Sequence, residues 1–101
     1  MIDFGRIESF EWDSGNVSKS AAKHGVASAE AEQVFFSEPL LVVQDEKHSG
    51  TEPRFHALGT TNEGRLLHIA FTLRDEGRKI RVISARDMHQ KERRVYEKQT
   101  R

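Results

Sequence analysis

Cysteine does not occur among the 101 residues, so neither a disulfide framework nor a thiolate metal site is possible. Such a chain suits a reducing compartment. Proline occurs only twice, and no repeat or low-complexity tract breaks the pattern, so a single domain is expected over residues 1–101. No apolar run approaches the ~20 residues a membrane helix needs. The N-terminal stretch carries Asp3, Glu8 and Trp12 instead of the basic segment and apolar core of a signal peptide. The expectation is a soluble, cytoplasmic protein. A glycine-rich phosphate loop is also missing, and Ser, His and Asp show no spacing that marks a nucleophilic triad.

Net charge is zero, yet the charges are unevenly spread. Residues 1–53 carry Arg6, Lys19, Lys23 and Lys47 against ten acidic residues, a balance of −6. Residues 54–101 carry twelve basic against six acidic residues, a balance of +6. Two readings are open. The split can give the domain one cationic surface, or acidic helices can neutralise a basic sheet within the fold.

Phe10-Glu11-Trp12 alternates as a short strand, and Asp13 can cap a helix over Ser14–His24 that buries Val17, Ala21 and Ala22. Gly25 stops that helix. Ser28 opens a second one, with Ala31 at the position of a capping-box acid, Glu30 and Glu32 in the first turn, and Val34, Phe35 and Phe36 for packing; Pro39 ends it. Leu40–Val43 reads as a strand, and residues 44–52 as a polar loop. Three more strands follow, about Arg54–Thr61, Arg65–Arg74 and Lys79–Arg86, separated by Asn62-Glu63-Gly64 and Asp75-Glu76-Gly77-Arg78. The tail from Asp87, taken as an N-cap, reads as a last helix containing Tyr96. The expected class is α+β: an antiparallel sheet with two N-terminal helices and a C-terminal helix.

Strand register carries the first chemical clue. Leu67, Ile69, Phe71 and Leu73 form one apolar face, and Ile80, Val82 and Ser84 alternate with Arg81, Ile83 and Ala85. The turn lengths pair Leu73 with Ile80 and Phe71 with both Val82 and Phe55. On the other face Arg54, Thr72 and Arg81 then form a row, its arginine Cα atoms roughly 10 Å apart at two strand spacings. His56 and His68 point the same way. Guanidinium groups grip phosphate through a planar fork of donors, and imidazoles move protons near neutral pH. That surface is suited to hold an RNA phosphate and to stabilise the charge formed when the 2′-hydroxyl attacks it; the plain alternative is a solvated sheet face. Asp45 and His48 have no second pair at metal-ligand spacing and read as loop residues. Lys23 and His24 sit where a helix C-terminus favours cations. Trp12 reads as core.

A series of short motifs runs through the chain: Phe10-Glu11-Trp12-Asp13, Lys23-His24-Gly25-Val26, Asp45 with His48-Ser49, Glu52 and Arg54, Leu58-Gly59, and Gly64-Arg65-Leu66-Leu67. It continues with Ile80-Arg81-Val82-Ile83-Ser84-Ala85-Arg86, Glu92-Arg93-Arg94 and Tyr96-Glu97. Each is weak alone; the ordered set is specific. On these motifs the chain resembles the BrnT toxin family over nearly its whole length. The resemblance implies a RelE-like fold, a metal-independent ribonuclease that blocks translation, and no cofactor. It also implies a cognate BrnA-like antitoxin in a hetero-oligomer, with operator DNA reached only through that partner. On the shared motifs Lys23, His24 and Arg86 join Arg54 and Arg81 as site candidates, with His24 or His56 moving a proton and His56, His68 and Thr72 against the substrate. The sequence departs from the family pattern at Asn16 and Ser20, where Lys and Asn are expected. The competing hypothesis is a non-catalytic module of the same fold that only binds antitoxin or RNA.

Overall fold

The computed structural model describes residues 2–16 and 23–99. Its centre is a five-stranded sheet of β1 (Ser9–Glu11), β2 (Leu41–Gln44), β3 (Arg54–Thr60), β4 (Leu66–Arg74) and β5 (Lys79–Asp87), in the order β1-β5-β4-β3-β2. Helix α1 (Ser28–Val34) precedes β2, and α2 (Gln90–Gln99) follows β5. A 3₁₀ turn covers Phe4–Arg6. Among the described residues no helix is long and apolar enough to cross a membrane.

Strands β2 to β5 form the expected antiparallel meander. The sheet as a whole is nevertheless mixed, because β1 runs parallel to β5, from Ser9↔Lys79 to Glu11↔Arg81. Nothing local to Ser9–Glu11 specifies that direction: it reaches β5 only through tertiary contact. Asn16 fixes the join. Its side chain is buried, with Nδ2 donating to the Glu11 carbonyl at 2.9 Å and the Val82 carbonyl at 3.0 Å, one on each strand. Asn16 is therefore a latch between β1 and β5.

Residues 14–16 and 23–24 are helical. Asp13 caps the start as expected, Oδ1 accepting from the backbone N–H of Gly15 at 2.8 Å and of Asn16 at 3.2 Å. The expected buried positions Val17, Ala21 and Ala22, and Ser20, lie outside the described residues. In α1 the capping frame is one residue earlier than expected. Ala27 is the N-cap, and Glu30 reaches back to accept its backbone N–H at 3.0 Å. Phe36 does not pack: it is 79% exposed, lying beyond the last turn of α1. Asp87 does not cap the C-terminal helix either, since β5 runs through it and its carboxylate binds Arg65. Glu92 takes the capping role by accepting the His89 backbone N–H at 2.8 Å.

One sheet face packs against α1. Val26, Ala31 and Val34 meet Ala57, Leu67, Ile69, Phe71, Ile80, Val82 and Ala85, all buried. Gly59 permits this approach, because a Cβ there would stand 2.8 Å from Val34 Cγ1 and 2.5 Å from Ser37 Oγ. Phe71 lies at the centre, edge-on to Phe35 at 5.0 Å between ring centroids and stacked on Phe55 at 5.4 Å. Trp12 packs at the margin of this core and donates its indole N–H to Glu32 on α1 at 2.6 Å.

The register of β3, β4 and the first part of β5 is as expected, including Arg54↔Thr72↔Arg81 and Phe55↔Phe71↔Val82. The alternation expected along β5 then fails. Val82 pairs with Phe71 but Ser84 pairs with Ala70, so Ile83 is an extra residue in a bulge. The bulge moves Ala85 into the core in place of Ser84 and turns Arg86 to the opposite face, across from His68. Because Phe71 touches rings on two sides and is fully buried, Phe71→Ala is expected to cost about 3–5 kcal/mol. Urea denaturation of the two proteins measures this, and a loss under about 1 kcal/mol would contradict its central place.

Candidate functional site

The sheet face away from α1 carries the polar groups. At one end, the starts of β3 and β5 and the end of β4 line a hollow of about 290 Å³ that contains Arg54, Thr72, Arg74 and Arg81. Arg81 is gripped by acids: Nη1 donates to Glu11 Oε1 at 3.1 Å and Asp13 Oδ2 at 2.9 Å, and Nη2 to Asp13 Oδ1 at 3.3 Å. The hydrogen bond from Arg81 holds the Asp13 carboxyl below its ordinary range. Arg74, absent from the expected set, reaches Glu11 at 3.4 Å and Glu52 at 3.1 Å. Thr72 is buried, and its hydroxyl donates to the Pro53 carbonyl, tying β4 to the residue before Arg54. The Arg54 guanidinium has no hydrogen-bond or ion-pair partner among the described residues.

These contacts decide part of the charge question. Glu11, Asp13, Glu30 and Glu52 of the acidic half bind Arg65, Arg74 and Arg81 of the basic half. Much of the split is thus neutralised internally, leaving Arg54 as the arginine in the hollow whose donors have no partner among the described residues.

At the other end of the same face, α2 leans over the sheet, with Tyr96 buried and its hydroxyl donating to the Pro39 carbonyl at 2.8 Å. An apolar groove of about 480 Å³ lies there, lined by Leu41, Val43, Leu58 and Val95 together with His56, His68, Arg86 and Glu92. Arg86 binds Glu92 through both nitrogens, at 2.8 and 2.9 Å. That hydrogen bonding holds the Glu92 carboxyl down to about 2 against the opposing effect of burial. His56 and His68 lie ring against ring at 4.8 Å between centroids, tilted by 38°. Burial pushes His68 down to about 4, and the neighbouring Arg86 charge adds to the shift. At neutral pH His68 is an uncharged, buried ring.

The expected residues therefore divide into three groups. Arg54, Thr72 and Arg81 come together at the hollow; His56, His68 and Arg86 come together at the groove. Lys23 and His24 join neither. The His24 and Gly25 carbonyls accept from Arg65, at 3.4 and 3.0 Å. Arg65 lies seven residues along β4 from Thr72, which is roughly 20 Å of strand. Sequence reasoning missed Arg74, and also the acids Glu11, Asp13 and Glu52 that orient the arginines. The period-2 relation of Arg74 to Thr72 was the available signal for that residue, whereas Glu11 meets Arg81 only across the β1–β5 pairing.

The family described as the ribonuclease toxin, BrnT, of type II toxin-antitoxin systems matches residues 12–92, a span that holds α1, β2 to β5 and the arginines and histidines of both polar clusters. No curated protein matches the chain. The class so defined is the toxin half of a type II toxin–antitoxin pair. The chain belongs to the BrnT family of ribonuclease toxins.

His68 gives this face a pH signature. Its pKa in the folded protein, about 4, is below its ordinary 6.5. The unfolded chain therefore binds the proton first as pH falls, and stability declines from about pH 6.5 down to about 4. The decline approaches about 3 kcal/mol for a displacement of that size. Urea denaturation across that window is expected to show the slope, and His68→Gln to remove it; a slope that persists in the variant would assign it to another group.

Proposed function

We propose that this chain is a metal-independent endoribonuclease with a RelE-like fold, acting in the cytoplasm to cut RNA and inhibit translation. A BrnA-like DNA-binding antitoxin silences it. The observation that carries the reading is the row Arg54–Thr72–Arg81, laid across three strands on the face that α1 leaves uncovered. Arg54, whose donors have no partner among the described residues, binds the non-bridging oxygens of the scissile phosphate. Arg81 is held in place by Glu11 and Asp13, and that restraint preorganises its remaining donors for the charge that develops as the 2′-hydroxyl attacks. Thr72 fixes the strand between them. Arg86 and the paired imidazoles extend the surface for the neighbouring nucleotides.

One observation favours a second reading, a module that binds RNA or antitoxin without cutting: Arg74 and Arg81 are both already paired with carboxylates. Incubation of the purified protein with RNA decides between them. Cleavage is expected with and without EDTA, and is expected to fall on the order of 10²–10³-fold in Arg54→Ala. The Arg54 variant is also expected to lower the salt slope of binding by about 0.7, the signature of one lost phosphate contact on a single strand. Arg81→Ala is expected to be at least as inactive, since it leaves two carboxylates facing an anionic substrate. Intact RNA that still binds would select the module.

An acidic antitoxin segment lying over the same hollow would occupy the site and cancel its field. Arg54→Glu is then expected to weaken antitoxin binding, most strongly at low ionic strength. Calorimetric titration at two salt concentrations measures this. Unaltered binding by Arg54→Glu, with loss on reversing Glu30 and Glu32, would move the interface to α1.

A further inference from the structure

The loop between β2 and β3 brings a group to the hollow that the reading above leaves unused. Asp45 follows β2 directly, and its Oδ1 accepts the backbone N–H of His48 at 3.1 Å. Its Oδ2 meets two imidazole nitrogens, Nδ1 of His48 at 2.9 Å and Nε2 of His56 at 2.7 Å. The loop is also tied to the strand that carries Arg54. Ser49 Oγ donates to the Asp45 carbonyl at 2.6 Å and accepts the Arg54 backbone N–H at 2.9 Å. Burial alone would raise the Asp45 carboxyl, but the hydrogen bonds from His56 and His48 outweigh it and bring it to about 2. Asp45 is therefore ionised at neutral pH and acts only as an acceptor. A neutral His48 ring that gives its Nδ1 proton to this carboxylate keeps a bare lone pair on Nε2.

Geometry separates His48 from the other four histidines. His68 is buried, His56 spends Nε2 on Asp45 and has Nδ1 buried, His24 lies at the Arg65 end, and His89 precedes α2. His48 has a side chain 60% exposed and lines the same hollow as Arg54, Thr72 and Arg81. We propose that His48 is the general base of RNA cleavage and that Asp45 is its positioning residue, an inference that rests on the ribonuclease reading above. In the step, Nε2 takes the proton of the 2′-hydroxyl as the O2′–P bond forms and the P–O5′ bond breaks. The departing 5′-oxygen takes a proton from water, and the imidazolium returns its proton to the hydroxide left behind. The products are a 2′,3′-cyclic phosphate and a 5′-hydroxyl. The charged groups around His48 are Asp45, Glu46 and Lys47 on its own loop, Glu52 and Arg54 at the start of β3, His56 on β3, Arg74 on β4 and Arg81 on β5.

Single-turnover cleavage of a short RNA across pH tests this, alongside binding of the same sequence with 2′-O-methyl groups, which cannot be cut. His48→Ala is expected to lose on the order of 10²–10⁴-fold in cleavage. It should also lose the fall in rate at acid pH, bind the methylated RNA as the parent does, and regain part of its rate with added imidazole. Asp45→Asn keeps the side-chain size but weakens the acceptor that orients the ring, so single-turnover cleavage is expected to fall while binding of the methylated RNA stays parental, a split that a purely structural role would not produce. His89→Ala is expected to keep the parental profile. Parental cleavage and acid limb in His48→Ala, with Arg54→Ala inactive, would overturn the base assignment while leaving the ribonuclease reading intact. A parent protein that binds RNA and does not cut it would overturn both.

Discussion

The bulge at Ile83 is the constraint on which the functional face depends. A regular β5 would place Arg81 and Arg86 on opposite faces, because five residues separate them and side chains alternate along a strand. One extra residue restores the parity, so Arg81 serves the hollow and Arg86 the groove on a single surface. The same extra residue lets Ile80, Val82 and Ala85 all enter the core. Packing and site geometry are thus satisfied by one irregularity, and bulges recur next to functional sites for this reason.

Carboxylates organise the cations and imidazoles of this face. Asp13 and Glu11 restrain Arg81, Glu52 restrains Arg74, Glu92 restrains Arg86, and Asp45 restrains His48 and His56. Each pair reduces net charge but fixes a donor that would otherwise sample many rotamers, and a preorganised donor needs no reordering when charge develops on a substrate. Exposed pairs of this kind contribute little to stability. Their value in this fold is orientation, which fits a domain whose formal charge is zero yet whose family acts on RNA.

The edges of the fold are held by single polar residues. Asn16 bridges β1 and β5 through its side-chain amide. Arg65 joins the Asp87 end of β5 to Glu30 on α1 and to the Gly25 carbonyl. Two long-range connections of this type close both ends of the sheet over a core that is otherwise one layer of side chains between strands and a two-turn helix. The His24 carbonyl belongs to that second junction, which explains its distance from the hollow.

Much of this was legible in the residues. The meander, its turns, the Arg54–Thr72–Arg81 row and the Phe55–Phe71–Val82 core row follow from period-2 alternation and hairpin loop lengths, which are local properties. The Asp13 cap is local too. The parallel pairing of β1, the bulge, the exposure of Phe36 and the capping frame of α1 were not legible, because each is set by what packs against it from far along the chain. The acid partners of the arginines were invisible for the same reason: Glu11 and Arg81 are 70 residues apart in sequence and neighbours only across a strand pair. Asp45 and His48 looked like ordinary loop residues, and only the fold brings His56 to the same carboxylate and turns His48 toward the arginines. Periodicity chose the face on which each strand residue lies; long-range packing chose which of those residues meet, since contact between distant segments is not encoded in any one of them.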